Sequence, residues 1–178
     1  FGNRCGRLLA PAGLLRLRND LTVFVPEAPE LADYDAPQLP VEDLPDDVLE
    51  FLMGSRYVQT QELSQIAWDL FSDCPPGYQR VKAVCTWIHD NVRFDYASAR
   101  STKTALDVWN ERVGVCRDFM HLAIAFCRCL NIPARYATGY LGDFGVPINP
   151  APMDFSAFFE AYLDGRWYPF DARHNEPR

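Results

Sequence analysis

Hydrophobic positions along this chain change their spacing twice. Near the start, Leu8 and Leu9, then Leu14, Leu15 and Leu17, then Leu21, Val23 and Val25 alternate weakly around a Pro11-Ala12-Gly13 turn. That pattern predicts the last strands of a β-rich region. Between Pro26 and Pro45 five prolines suppress helix and strand alike, which predicts an extended linker and a domain boundary near residue 45, dividing the chain into 1–45 and 46–178. Beyond it the period is helical. Val48, Phe51 and Leu52 behind Asp46-Asp47 predict one helix, residues 61–71 a second, and Val81, Val84, Cys85 and Ile88 a third over 78–91. A short helix over 104–111 precedes one from Gly114 to about Leu130, whose middle, Leu122 to Phe126, is apolar nearly all round. A helix of that kind belongs at the centre of a domain. After the Asn131-Ile132-Pro133 stop the period falls to 2, with strands over 134–141, 154–163 and 166–171, a Gly- and Pro-rich loop over 142–152 and an Asp164-Gly165 hairpin turn. Helices first and an antiparallel sheet second is an α+β layout.

Composition narrows the function classes. With 48% apolar residues in 178, the chain can fill one sizeable core. No apolar stretch approaches the roughly 20 residues of a bilayer span, and no secretory h-region is present, so the expected setting is soluble and cytoplasmic, with no membrane partner. The formal charge of −7 and the lack of any Lys or Arg run exclude nucleic acid as an expected partner. The six cysteines contain no Cys-x-x-Cys pair, and Cys127 and Cys129 would lie about 200° apart around a helix. Reduced thiols, no metal and no cofactor are expected.

Cys116 stands apart because Gly114 allows a tight turn just before it and the long buried helix begins at it. At a helix N-terminus the aligned peptide dipoles favour a thiolate. Position alone leaves two readings open: a nucleophile, or a small packing residue like Cys127 and Cys129.

The run Gly114-Val115-Cys116-Arg117-Asp118-Phe119, His121-Leu122-Ala123 and Ile132-Pro133-Ala134-Arg135-Tyr136 resembles the bacterial transglutaminase-like superfamily. So does the stretch from Met153 to Asn175, and together the resemblance covers roughly residues 50 to 178. It implies a papain-like core, a nucleophile helix packed on an antiparallel sheet, and a Cys-His-Asp triad that works through a thioester on peptide or protein amides. Cys116 and Asp171 match two triad positions. The family reads Asp-Phe-His-Ala-Trp where this chain reads Asp154-Phe155-Ser156-Ala157-Phe158, so Ser156 stands in the place of the histidine.

A serine hydroxyl can neither hold a thiol ionised nor protonate a leaving amine near neutral pH. For each of the three histidines a packed or surface role is the commoner reading, with His174 the foremost exception because a loop there could fold back. His121 lies about 500° round and about 7.5 Å up the helix from Cys116. His174, three residues after Asp171, falls on the opposite strand face unless the chain has already turned into a loop. His89 sits late on its helix with no spacing rule to place it. Strand alternation groups Ser156, Phe158, Glu160 and Tyr162 on one face and Phe155, Ala157, Phe159, Ala161 and Leu163 on a more apolar one. With the turn at Asp164-Gly165, Ser156 and Asp171 fall near each other across the hairpin. Trp87, Trp109, Trp167, Phe158 and Tyr162 are candidates for lining a cleft, though core packing is their commoner use. The expectation is a thiol acyl-transfer or protease domain impaired by Ser156; the alternative is a catalytically silent peptide-binding or scaffolding module on the same fold.

Overall fold

The computed structural model describes residues 3, 5–18, 20, 22, 24, 32–140 and 155–175. Four helices, α1 (Thr60–Phe71), α2 (Tyr78–Asn91), α3 (Ala105–Glu111) and α4 (Cys116–Cys129), pack against a three-stranded antiparallel sheet. A two-residue parallel ladder, β1 (Arg93–Phe94) with β2 (Val113–Gly114), ties α2 to the residues just ahead of α4. The main sheet runs in the order β3 (Ala134–Tyr140), β4 (Phe155–Leu163), β5 (Arg166–Phe170).

The predicted centre of the domain is α4, and its residues from Phe119 to Cys127 are all buried. The sheet covers one side of it through Ala157, Phe159, Ala161 and Leu163, each at most 2% exposed. That is the face the alternation assigned to the core, except that Phe155, at the strand's start, is exposed. Phe126 is ringed on the other side by Phe71, Trp87 and Trp109. Trp87 and Trp109 stack at 5.2 Å with the Arg112 guanidinium over both rings, and Trp167 packs on Phe51 and Tyr162. These tryptophans serve packing.

Three elements depart from the sequence expectations. Among the described residues of 5–18 there is no strand, and Leu8, Leu9, Leu14, Leu15 and Leu17 are exposed, because nothing in the fold pairs with them. Leu21, Val23 and the loop 142–152 lie outside the described residues, as does Val25. The Pro-rich segment is extended but is no free linker, since Ala36 is buried and its carbonyl accepts from Tyr78 N, while Pro37 O accepts from Asp164 N. Gly77 is needed there: its φ is 105°, and a Cβ would stand 2.3 Å from Ala36 O. The packed domain therefore begins before residue 45. Finally, the helix predicted around Val48 and Phe51 shrinks to a 3-10 turn, Leu49–Leu52. Unlike the equally short α3, which carries a capping box, this segment has no side-chain cap at its start.

Candidate active site

Residues 130–133 reverse the chain, so β3 runs back along α4 and carries Tyr136 beside His121, with ring centroids 5.6 Å apart. Tyr136 also feels the charges of Cys116, Arg117 and Asp118, although burial is the main cause of its raised pKa. Since β4 and β5 alternate in direction, β4 begins at this same end of α4 and β5 runs toward it. Ser156 therefore lies where β4 begins, toward the end of α4 that carries Cys116, while Asp171 follows the end of β5, which stops opposite the middle of β4.

The turn that presents Cys116 is built from its neighbours. The Asp118 carboxylate, fully buried, accepts from Val115 N–H at 3.0 Å and from Arg117 Nε and Nη2 at 3.1 and 2.8 Å. It closes the first turn as a helix cap. Gly114 is required by this close approach and not by its φ, because a Cβ there would meet the Asp118 Cβ at 2.7 Å. Arg117 also donates to Arg100 O at 2.6 Å. Arg100 in turn grips Glu111, whose carboxyl is held down at about 2 by Arg100 and by the buried Lys103 ammonium. Lys103 Nζ donates to Val113 O at 2.9 Å, so a line of charged groups holds the segment feeding the helix.

The six cysteines differ in what they can do. Burial pushes the Cys85 and Cys127 thiols far up and Cys129 up to about 11, which keeps these three protonated. Cys5 lies in exposed coil and Cys74 beyond the end of α1. Cys116 is partly exposed and stands at the first position of α4.

Ser156 is buried and pairs with Gly139 of β3, while the β4–β5 ladder ends at Phe159 opposite Phe170. Ser156 and Asp171 are therefore two residues from direct opposition. The turn was placed correctly; the strand simply ends before reaching Ser156. Asp171, 2% exposed, instead accepts at Oδ1 from the backbone of Arg173 and His174, and its Oδ2 lies 2.8 Å from His174 Nδ1. The chain has left the strand here, with Asn175 N donating back to Asp171 O, so the alternation that set His174 on the far face does not apply. The Asp-x-x-His spacing, at one helical turn, was the sequence signal for this pair.

His121 is buried, stacks on Tyr57 at 5.2 Å, and has no hydrogen-bond partner at Nδ1 among the described residues. Burial, with Arg117 adding to it, depresses its pKa to about 4. The unfolded chain takes up this proton near pH 6.5 and the folded one only near 4, so the neutral ring's contribution is intact above pH 6.5 and lost as pH falls through that window. It amounts to about 3 kcal/mol. Urea midpoints between pH 7 and 4 are expected to fall less steeply for His121→Phe than for the wild type. Parallel curves for the two proteins would place the acid sensitivity elsewhere.

The family model of the transglutaminase-like superfamily matches residues 64–172. This chain belongs to that superfamily. A protein from Cytophaga hutchinsonii described as a candidate cysteine protease is 44% identical with a TM-score of 0.71, covering 78% of this chain and 46% of that one. The periplasmic domain of TgpA from Pseudomonas aeruginosa, 18% identical with a TM-score of 0.58, covers 75% of this chain and 49% of its own and shares the fold. Human kyphoscoliosis peptidase is 24% identical over 130 residues, which are 68% of this chain and 19% of the peptidase. The chain thus spans about half or less of each relative's length. The transglutaminase-like match contains Cys116, Ser156 and Asp171 and stops two residues short of His174.

Proposed function

We propose that this transglutaminase-like domain transfers the acyl group of a peptide or protein amide through a thioester on Cys116. The observation that carries this reading is the sulfur's position: among the six cysteines only Cys116 begins a helix. The helix N-terminus favours an anionic sulfur, and water or an amine resolves the thioester. A groove bordered by Phe51, Arg135, Tyr136, Phe155, Phe158 and Glu160 crosses the sheet beside Tyr136 and offers an extended chain both apolar and charged contacts.

Ser156 favours the second reading, a silent peptide-binding module, because the strand position that would carry the base holds only a hydroxyl. If no other group serves, turnover falls by about 10⁴ to 10⁶ from that of a complete triad. Iodoacetamide labelling of the native protein at neutral pH, read by mass spectrometry, separates the two. Cys116 is expected to react about tenfold faster than the exposed Cys5 despite being less accessible. Labelling slower than that of Cys5 would leave the silent module standing.

A further inference from the structure

We infer that His174, oriented by Asp171, supplies the imidazole that strand β4 lacks and acts as the base and acid for Cys116. The inference rests on the reading of Cys116 as the nucleophile and adds the residue that completes it.

Of the three histidines, His174 alone has a carboxylate partner among the described residues. Two backbone N–H groups bond Asp171 Oδ1, and Oδ2 meets His174 Nδ1. A carboxylate only accepts, so the hydrogen-bond network assigns the proton to Nδ1 and the lone pair to Nε2. Nε2 has no hydrogen-bond partner among the described residues, and the side chain is 34% exposed. His89 is committed differently, with Nδ1 donating to Arg173 O at 2.7 Å. His121 is buried in its aromatic stack and too weak a base for the task.

The turn bearing His174 is pinned on both sides. Lys82 Nζ donates to Asn175 O and Oδ1 at 2.6 and 2.8 Å. The Arg173 guanidinium lies 3.7 Å from the centre of the Phe94 ring, and Phe94 pairs across the β1–β2 ladder with Gly114, two residues before Cys116. One side chain therefore bridges the His174 turn to the strand that delivers the sulfur. These contacts order the turn whether or not it acts, and they tie the Asp-His pair to α2 and, through Phe94, to the strand that precedes Cys116.

The step balances without a further reactant. The Cys116 thiol proton passes to Nε2 as the sulfur bonds to the amide carbon; the carbon–nitrogen bond then breaks and the amine leaves with the proton from Nε2. Water adds to the thioester with its proton going to Nε2, and that proton returns to the sulfur as the carboxylic acid departs.

Hydrolysis of p-nitrophenyl acetate, above the buffer blank, tests this with Cys116→Ala, His174→Ala and His174→Gln. Glutamine keeps an N–H for Asp171 Oδ2 but cannot carry a proton, so a merely structural histidine would be rescued by it. His174→Gln is expected to lose about 10² to 10⁴ of the Cys116-dependent rate with its unfolding midpoint retained. Added imidazole, measured over a blank holding the same imidazole because it hydrolyses this ester by itself, is expected to restore part of the rate in His174→Ala and none in Cys116→Ala. Full activity in His174→Gln beside an inactive Cys116→Ala would overturn the inference and leave the nucleophile standing. A wild-type rate equal to that of Cys116→Ala would remove both.

Discussion

Cys116→Ala is expected to lower ester and amide turnover by about 10⁴ to 10⁶ while the fold persists. The loss is this large because no other thiol can take over. Cys85, Cys127 and Cys129 are held protonated in the core, and Cys5 and Cys74 stand at no helix N-terminus. A Cys-to-Ala change at a partly exposed position leaves no unpaired polar group, so the unfolding free energy is expected to move by less than about 1 kcal/mol. Steady-state rates on p-nitrophenyl acetate, with urea unfolding alongside, check both halves. A rate within tenfold of the wild type would place the chemistry on another residue.

Asp118→Ala should cost the most stability of any polar substitution at the site, about 2 to 4 kcal/mol. Three losses combine. The Val115 N–H is left without its acceptor, the Arg117 guanidinium loses a two-pronged partner, and the space beside Gly114 empties. Arg117 is about one-third exposed, and the water that reaches it holds the cost below that of a fully buried pair. Asp118→Asn keeps an acceptor for Val115 and is expected to recover roughly half of the loss, by cap energetics. Because the same turn presents Cys116, its preferential labelling over Cys5 is expected to shrink in Asp118→Ala. A midpoint unchanged within error in Asp118→Ala would show that the carboxylate contributes nothing net to the helix start.

Much of this protein was legible from periodicity. The spans of α2, α3 and α4 follow to within two residues from apolar spacing and from the turn residues that bound them. The hairpin register follows from Asp164-Gly165, where the chain does turn, with Leu163 opposite Arg166. Local rules fail where pairing depends on something distant. A two-residue ladder such as β1–β2 carries no periodic signal, and the leucines of residues 8–17 alternate without any partner strand among the described residues. The Pro-rich segment could not be read as packed, because its anchors, Tyr78 and Asp164, lie far along the chain.

The candidate site divides along the same line. By itself the sequence determined that Cys116 begins the most buried helix and that residue 156 can bring no imidazole, since both follow from residue identity and local spacing. Only the tertiary structure decided what Asp171 does. Strand alternation sets His174 on the far face, but β5 ends at Phe170, and the turn after it brings the imidazole back to the carboxylate at 2.8 Å. After β5 ends, residues 173–175 bond instead to α2, through Lys82, Thr86 and His89, a contact set by packing that no local pattern of the strand encodes.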